Sequence, residues 1–194
     1  MSHPAPYATL KDMEVWSQSQ VAQTITQDHS SAVTEWETLI DAASICIDKF
    51  CRRVFYKTGE VTRDYYPSWS PSSDVFTGDI VSVSNVQLVG SDGDSEDADP
   101  QPDLIPPLIP YEPNVGIRFN GKVNRYSCPL VKVTGVFGWD EVPDDIHLAC
   151  LILARRFSTR PGSPTGAGGI GGFLVTMDPD VPRILKEYKI KRTY

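Results

Sequence analysis

The chain has 194 residues, which suits one domain carrying a substantial insertion better than two independent domains. Its 16 Pro and 14 Gly forecast long connections, and a net charge of -7 disfavours a body that grips nucleic acid, because phosphate neutralisation needs a surplus of Lys and Arg. No apolar run reaches the roughly 20 residues of a membrane helix and no basic stretch leads into an apolar core, so neither a membrane span nor a signal peptide is expected.

From Tyr7 to about Gln23 the pattern predicts a short first helix with Leu10, Met13, Val15 and Trp16 facing inward. Gln18 to Ser31, rich in Gln, Ser and Thr, reads as an extended arm or a frayed helix. A long helix is predicted from Thr34, where the T-x-x-E form of Thr34 to Glu37 lets each end satisfy the other's orphan amide. Trp36, Leu39, Ile40, Ala43, Ile47 and Phe50 make its apolar stripe, with Asp41, Ser44, Asp48 and Arg52 on the other side.

The periodicity then changes. Val61 to Tyr66, Ile80 to Val83, Val86 to Gly90, Val115 to Phe119 and Leu130 to Val136 are β-branched or aromatic runs separated by Gly, Pro, Ser and Asn. They predict an antiparallel β insertion over residues 58–136. Ser91 to Asp103 is too acidic to bury and reads as a mobile loop, while Pro-rich Leu104 to Pro113 should lie extended against the sheet. Gly135 and Gly138 mark a bulge or a close turn beside Phe137 and Trp139.

Pro143 sets the entry of a second long helix, whose positive dipole end suits Asp144 and Asp145. Ile146, Ala149, Cys150, Leu153 and Phe157 share one stripe, and Leu148 and Ile152 widen it. Arg155, Arg156 and Arg160 sit toward its negative end, and Pro161-Gly162 stops it. The next segment is flexible by composition, with Gly162, Gly166, Gly168, Gly169, Gly171 and Gly172 as a hinge. After a short extended piece, Phe173 to Met177, Asp178-Pro179-Asp180 starts a last helix with Val181, Ile184, Leu185 and Tyr188 inward. Residues 183–194 carry five Lys or Arg against Glu187 alone, net +4, which leaves -11 for the remainder. That is either a tail that docks on an acidic partner or an ordinary cationic helix end. The expected fold class is α+β: a small helical bundle of two long core helices plus short N- and C-terminal helices, with the β insertion between the core helices.

Few residues invite chemistry. Cys46, Cys51, Cys128 and Cys150 form no C-x-x-C pair and have only His3, His29 and His147 beside them, so they read as small apolar residues rather than zinc ligands. Gly166 to Gly171 matches G-x-G-x-x-G but follows a helix and precedes an extended segment, the reverse of a dinucleotide site. Asp92, Asp94, Glu96, Asp97 and Asp99 lack the sixth-position Gly and flanking helices of a calcium loop. Gly93-Asp94-Ser95 with Asp144 and His147 resembles the motifs of SGNH (GDSL) serine hydrolases. Ser95 would be nucleophile, His147 base and Asp144 the orienting acid. That family sets its serine after the first strand of a parallel α/β sheet, a setting this chain does not offer. No catalytic, cofactor or metal site is expected.

A different resemblance covers most of the chain. It rests on Leu39-Ile40-Asp41-Ala42-Ala43-Ser44 with Ile47-Asp48, then Cys51-Arg52-Arg53-Val54-Phe55, Val133 to Trp139, and Val142-Pro143 with the helix to Arg155-Arg156. It ends with Asp178-Pro179-Asp180-Val181. In this order the motifs resemble the head-tail connector (adaptor) proteins of long-tailed double-stranded DNA phages and of gene transfer agents. Gln18 to Ser31 and the acidic segment lie outside the resemblance. The family implies a non-enzymatic virion protein, put together in the host cytoplasm, that forms a dodecameric ring beneath the portal. Such a ring extends the DNA channel and receives the stopper or tail-completion protein. The family's C-terminal portal-docking segment maps onto Arg183, Lys186, Tyr188, Lys189, Lys191, Arg192 and Tyr194. The nearest alternative is another neck component, a stopper or tail-completion protein.

Overall fold

Thr9-Leu10-Lys11-Asp12 begins the first helix by a reciprocal cap: the Thr9 amide donates to Asp12 Oδ2 at 2.8 Å and the Asp12 amide to Thr9 Oγ1 at 3.3 Å. The structure, a computed structural model, describes residues 3–17, 29–158 and 180–190. Four helices and six strands are found among them, in an α+β arrangement that divides into a helical unit (residues to Phe55 and from Val142) and a sheet unit, Tyr56–Glu141.

In the helical unit, α1 (Leu10–Ser17) buries Met13 fully, while Val15 is exposed and Trp16 half-exposed, with the Arg155 guanidinium 5.7 Å from the Trp16 ring centre. Both aromatic and valine were expected inside. Val15, two residues past Met13, falls on the opposite side of so short a helix. Helix α2 (His29–Cys51) starts five residues before the predicted capping box, because nothing in His29 to Val33 breaks a helix. Thr34 therefore lies inside the helix, where its carbonyl accepts from Thr38 Oγ1 at 2.8 Å. The stripe Leu39, Ile40, Ala43 and Ile47 is buried as expected, joined by Cys46 and Cys51. Arg52 ends the helix in the left-handed region, φ 59°, where its amide meets the Asp48 carbonyl at 2.7 Å.

Helix α3 (Asp144–Ser158) begins where the two acids predict, and packs along α2. Ile146, Ala149, Cys150, Leu153 and Phe157 are buried, and Leu151 and Ala154 widen the stripe in place of Leu148, which is exposed. Helix α4 (Val181–Leu185) lies on α3 and α2, burying Val181 and Leu185. Residues 18–28, the Gly162–Gly172 hinge with Gly166, Gly168, Gly169 and Gly171, and Lys191 to Tyr194 lie outside the described residues.

The sheet unit is antiparallel throughout. Its strands are β1 (Glu60–Tyr65), β2 (Ser72–Val89), β3 (Ser95–Asp97), β4 (Asp103–Ile105), β5 (Asn114–Val123) and β6 (Leu130–Phe137). They lie in the order β1-β6-β2-β5-β4, with β3 on β2. The two predicted runs at Ile80 and Val86 are one strand, since the break between Val83 and Asn85 is absorbed as a register shift instead of a turn. The first half of β2 pairs with β5 (Ser72 opposite Val123, Ile80 opposite Asn114) and the second with β6 (Ile80 opposite Phe137, Val89 opposite Leu130). Both halves contribute to one core built on Val75, Ile80, Ile117, Val131, Val133 and Phe137.

The acidic segment departs from expectation. Gly93, at φ 91°, closes a tight turn in which the Gly90 amide donates to the Asp94 carbonyl at 2.8 Å, and β3 returns along β2. Gln101 then caps the segment, its Oε1 accepting from the Val86 amide at 2.8 Å and its Nε2 donating to the Ala98 carbonyl at 2.7 Å. Backbone pairing leaves the carboxylates in water, so an acidic composition does not prevent order here. Of the Pro-rich stretch Leu104 to Pro113, only Leu104 and Ile105 pair with β5; beyond them the chain turns instead of lying extended, the Glu112 amide donating to the Ile109 carbonyl at 3.0 Å.

Candidate functional site

The chemically distinctive part of the helical unit is the place where its N-terminal segment, the end of α2 and the residues after α4 meet. Ser44 and Asp48, one turn apart on α2, organise it. Ser44 Oγ, wholly buried, accepts the Tyr7 amide at 3.1 Å and bonds the Ile40 carbonyl at 3.0 Å. Asp48 accepts the Tyr7 hydroxyl and lies 3.0 Å from His3 Nε2. The Ala5 amide donates to His3 Nδ1 at 3.2 Å, so Nδ1 is the acceptor and the ring N–H sits on Nε2, aimed at Asp48. The Phe55 amide donates to the Tyr7 hydroxyl oxygen at 2.9 Å.

Four rings continue this network edge to face: His3 on Tyr7 with centroids 4.9 Å apart, Tyr7 on Phe55 at 5.8 Å, and Phe55 on Tyr188 at 5.6 Å. Tyr188 Oη donates to Asp145 Oδ2 at 3.1 Å, Arg53 Nη1 donates to the Tyr188 carbonyl at 3.4 Å, and the Ile190 amide to the Cys51 carbonyl at 3.0 Å. The segment after α4 is therefore fastened to α2 and α3. Sequence placed Ser44 and Asp48 on the open side of α2; the N-terminal segment covers that side. The available signal was a polar pair at i, i+4 with apolar neighbours on both flanks, Ile40, Ala43, Ile47 and Cys51.

Of the mapped docking residues, Arg183, Lys186 and Lys189 are exposed, the Lys189 ammonium standing 4.8 Å from the Phe50 ring centre. Tyr188 is part-buried in the contacts just described, and Lys191, Arg192 and Tyr194 lie outside the described residues. Arg156 reaches Asp180 at 3.8 Å.

The residues of the hydrolase-like and acidic motifs have other surroundings. His147 Nε2 lies 3.3 Å from Asp12 Oδ2. Burial raises the Asp12 carboxyl, but bonds from the Thr9 hydroxyl, the Thr9 amide and His147 outweigh it and hold the group below its usual range. Ser95 is exposed on β3, opposite Val89. Asp97 accepts from Asn85 Nδ2 at 3.0 Å and Gln87 Nε2 at 2.9 Å, which lowers its carboxyl. Among the described residues no group of three or more His, Cys, Asp or Glu is placed to hold a metal ion, and no helix is long and apolar enough to cross a membrane. All four cysteines are free and buried.

No protein-family model matches the chain, and no curated protein matches it significantly. Solved structures do resemble it. One is a chain from the neck of an empty GTA particle computed with C6 symmetry, at 14% identity and TM-score 0.57, covering 90% of each chain. A second, from the neck of a native GTA particle computed with C12 symmetry, has 13% identity and TM-score 0.52 over 90% of each chain. A third belongs to the virion of a native gene transfer agent particle, at 14% identity and TM-score 0.52, covering 87% of this chain and 83% of that one. At such identities the likeness is one of fold.

Proposed function

We propose that this chain is a structural neck protein of a phage or gene-transfer-agent particle, a head-tail connector (adaptor) that forms a ring beneath the portal. The observation that carries the reading is a fold shared with neck chains over nine-tenths of both lengths, in assemblies of sixfold and twelvefold symmetry. The motif order read from sequence points to the neck independently of the fold, and within the neck to the adaptor.

On this reading residues 1–194 are one adaptor domain: a small helical bundle with a β-rich insertion at 58–136, then a hinge and docking segment at 162–194. A dodecamer extends the DNA channel, DNA passes without sequence-specific binding, and the stopper or tail-completion protein sits below. The protein works in the virion after assembly in the host cytoplasm, with no catalysis, cofactor or membrane. Arg183, Lys186 and Lys189 face outward and supply the portal contact, with Lys191, Arg192 and Tyr194 continuing it. Tyr188 serves that contact indirectly, by fixing the segment to Phe55 and Asp145.

Deleting residues 183–194 is a poor test, because Leu185 is fully buried and its loss would damage the fold. Arg183→Glu combined with Lys186→Glu is cleaner. We expect the variant to keep its melting temperature and to lose portal binding in a pull-down with purified portal, while electron microscopy of the unaltered pair shows a ring. Undiminished binding would reject the docking role. A chain imaged elsewhere in the neck would make it a stopper or tail-completion protein.

A further inference from the structure

The sheet unit exposes two apolar patches that differ in chemistry and lie at opposite ends of β5. Beyond Val123, the Asn124 side chain accepts the Tyr126 and Ser127 amides at 2.8 and 3.0 Å and so sets a tight turn. That turn meets the β1–β2 connection. Trp69 and Tyr126 stack with centroids 5.2 Å apart, and the Arg125 guanidinium stands 4.9 Å from the ring centres of both Tyr66 and Trp69. Tyr66, Trp69 and Tyr126 are 65, 58 and 76% exposed, so the cluster, which carries the Arg125 charge, is uncovered.

Before Asn114, at the other end, the Pro-rich loop carries Leu108, fully exposed, and Tyr111, 72% exposed. Beside it a cavity of about 350 Å³ has Pro110, Tyr111 and Trp139 in its lining, together with Glu112, Asp140 and Glu141. Three carboxylates thus line it, and one of them, Asp140, pairs with Lys57 at 2.6 Å. The ten residues of β5 separate the two patches, roughly 30 Å at the usual rise, so one sheet unit cannot bring its own patches together.

We infer that the aromatic and Arg125 end of one copy docks into the acid-lined cavity and Pro-rich loop of a second copy. Three features select that occupant. The charges are opposite; aromatic faces are the usual partners of Pro-rich segments; and a contact between two different patches on one molecule is heterologous, the kind that closes rings. The inference rests on the ring reading and gives it a subunit contact. An aromatic anchor entering a pocket is where interface energy concentrates. The patches are small, so each contact is weak and association of the free protein depends on concentration.

The test uses the full chain in sedimentation velocity. Trp69→Ala removes the platform and Tyr111→Asp the receiving end, both at exposed positions that leave the melting temperature unchanged. Each variant alone should lose self-association by roughly thirtyfold or more. Mixed together they should recover pairs and nothing larger, because one intact end of each kind remains. Absence of self-association by the unaltered chain at its highest soluble concentration, or of recovery in the mixture, overturns the inference. So does Trp69→Ala abolishing single-stranded DNA binding while self-association persists. A ring imaged with its subunit contact elsewhere sinks this contact and leaves the neck reading. Head-to-tail pairing by a chain found outside any neck does the reverse.

Discussion

Burial pushes the thiols of Cys51 and Cys150 from an ordinary 9.0 up to about 12, and a thiol so raised is neutral at any physiological pH. The unfolded chain loses these protons first, so both groups support the fold fully below pH 9 and withdraw that support as pH climbs toward 12. We expect a colourless-to-coloured thiol reagent at pH 8 to label the native protein only as fast as it opens, with labelling accelerated by urea. Fast stoichiometric labelling in buffer would contradict the burial of these side chains.

At the scale of elements, the two glycines near the end of β6 mark close approaches. A Cβ on Gly135 would stand 2.2 Å from the Ser82 carbonyl oxygen, beside the register shift in β2, and one on Gly138, at φ 98°, 2.0 Å from the Tyr56 carbonyl oxygen. Gly121 meets nothing within 4 Å. Gly135→Ala should therefore destabilise by about 1–3 kcal/mol, read as a lower urea midpoint, while Gly121→Ala should leave the midpoint nearly unchanged. Equal midpoints for the two would show that β6 yields more easily than this geometry allows.

The same elements show what sequence can reveal. Period and turn chemistry located α2, α3, β1, β5 and β6, and the glycines announced the tight contact of β6, because those signals are local. What escaped depends on partners distant in sequence. The side of α2 bearing Ser44 and Asp48 is covered by residues about 40 positions away, and β2 is continuous only because β5 and β6 each hold half of it. Thr34 imitated a cap, whereas the working cap at Thr9 used an Asp.

For the whole molecule, charge separates by unit. Residues 56–141 hold 13 acidic and 6 basic side chains, a net of -7, and the helical unit balances 12 against 12. The entire surplus therefore belongs to the sheet unit. A channel protein that DNA must pass gains from such a surface, since it offers few cations to replace the counterions on the phosphates. We expect no retardation of duplex DNA by the full chain at low salt, and a salt-sensitive shift would oppose the channel reading.

The fastening of residues 3–7 and 188–190 onto one end of α2 has a mechanical consequence. Tension applied at Ile190 passes through the hydrogen bond from its amide to the Cys51 carbonyl straight into that long helix, and through the Tyr188–Phe55 contact into the segment that follows it. A pull arriving at this end is thus resisted within the helical unit, by groups clamped around a single helix terminus, and need not travel through the polypeptide that follows α3.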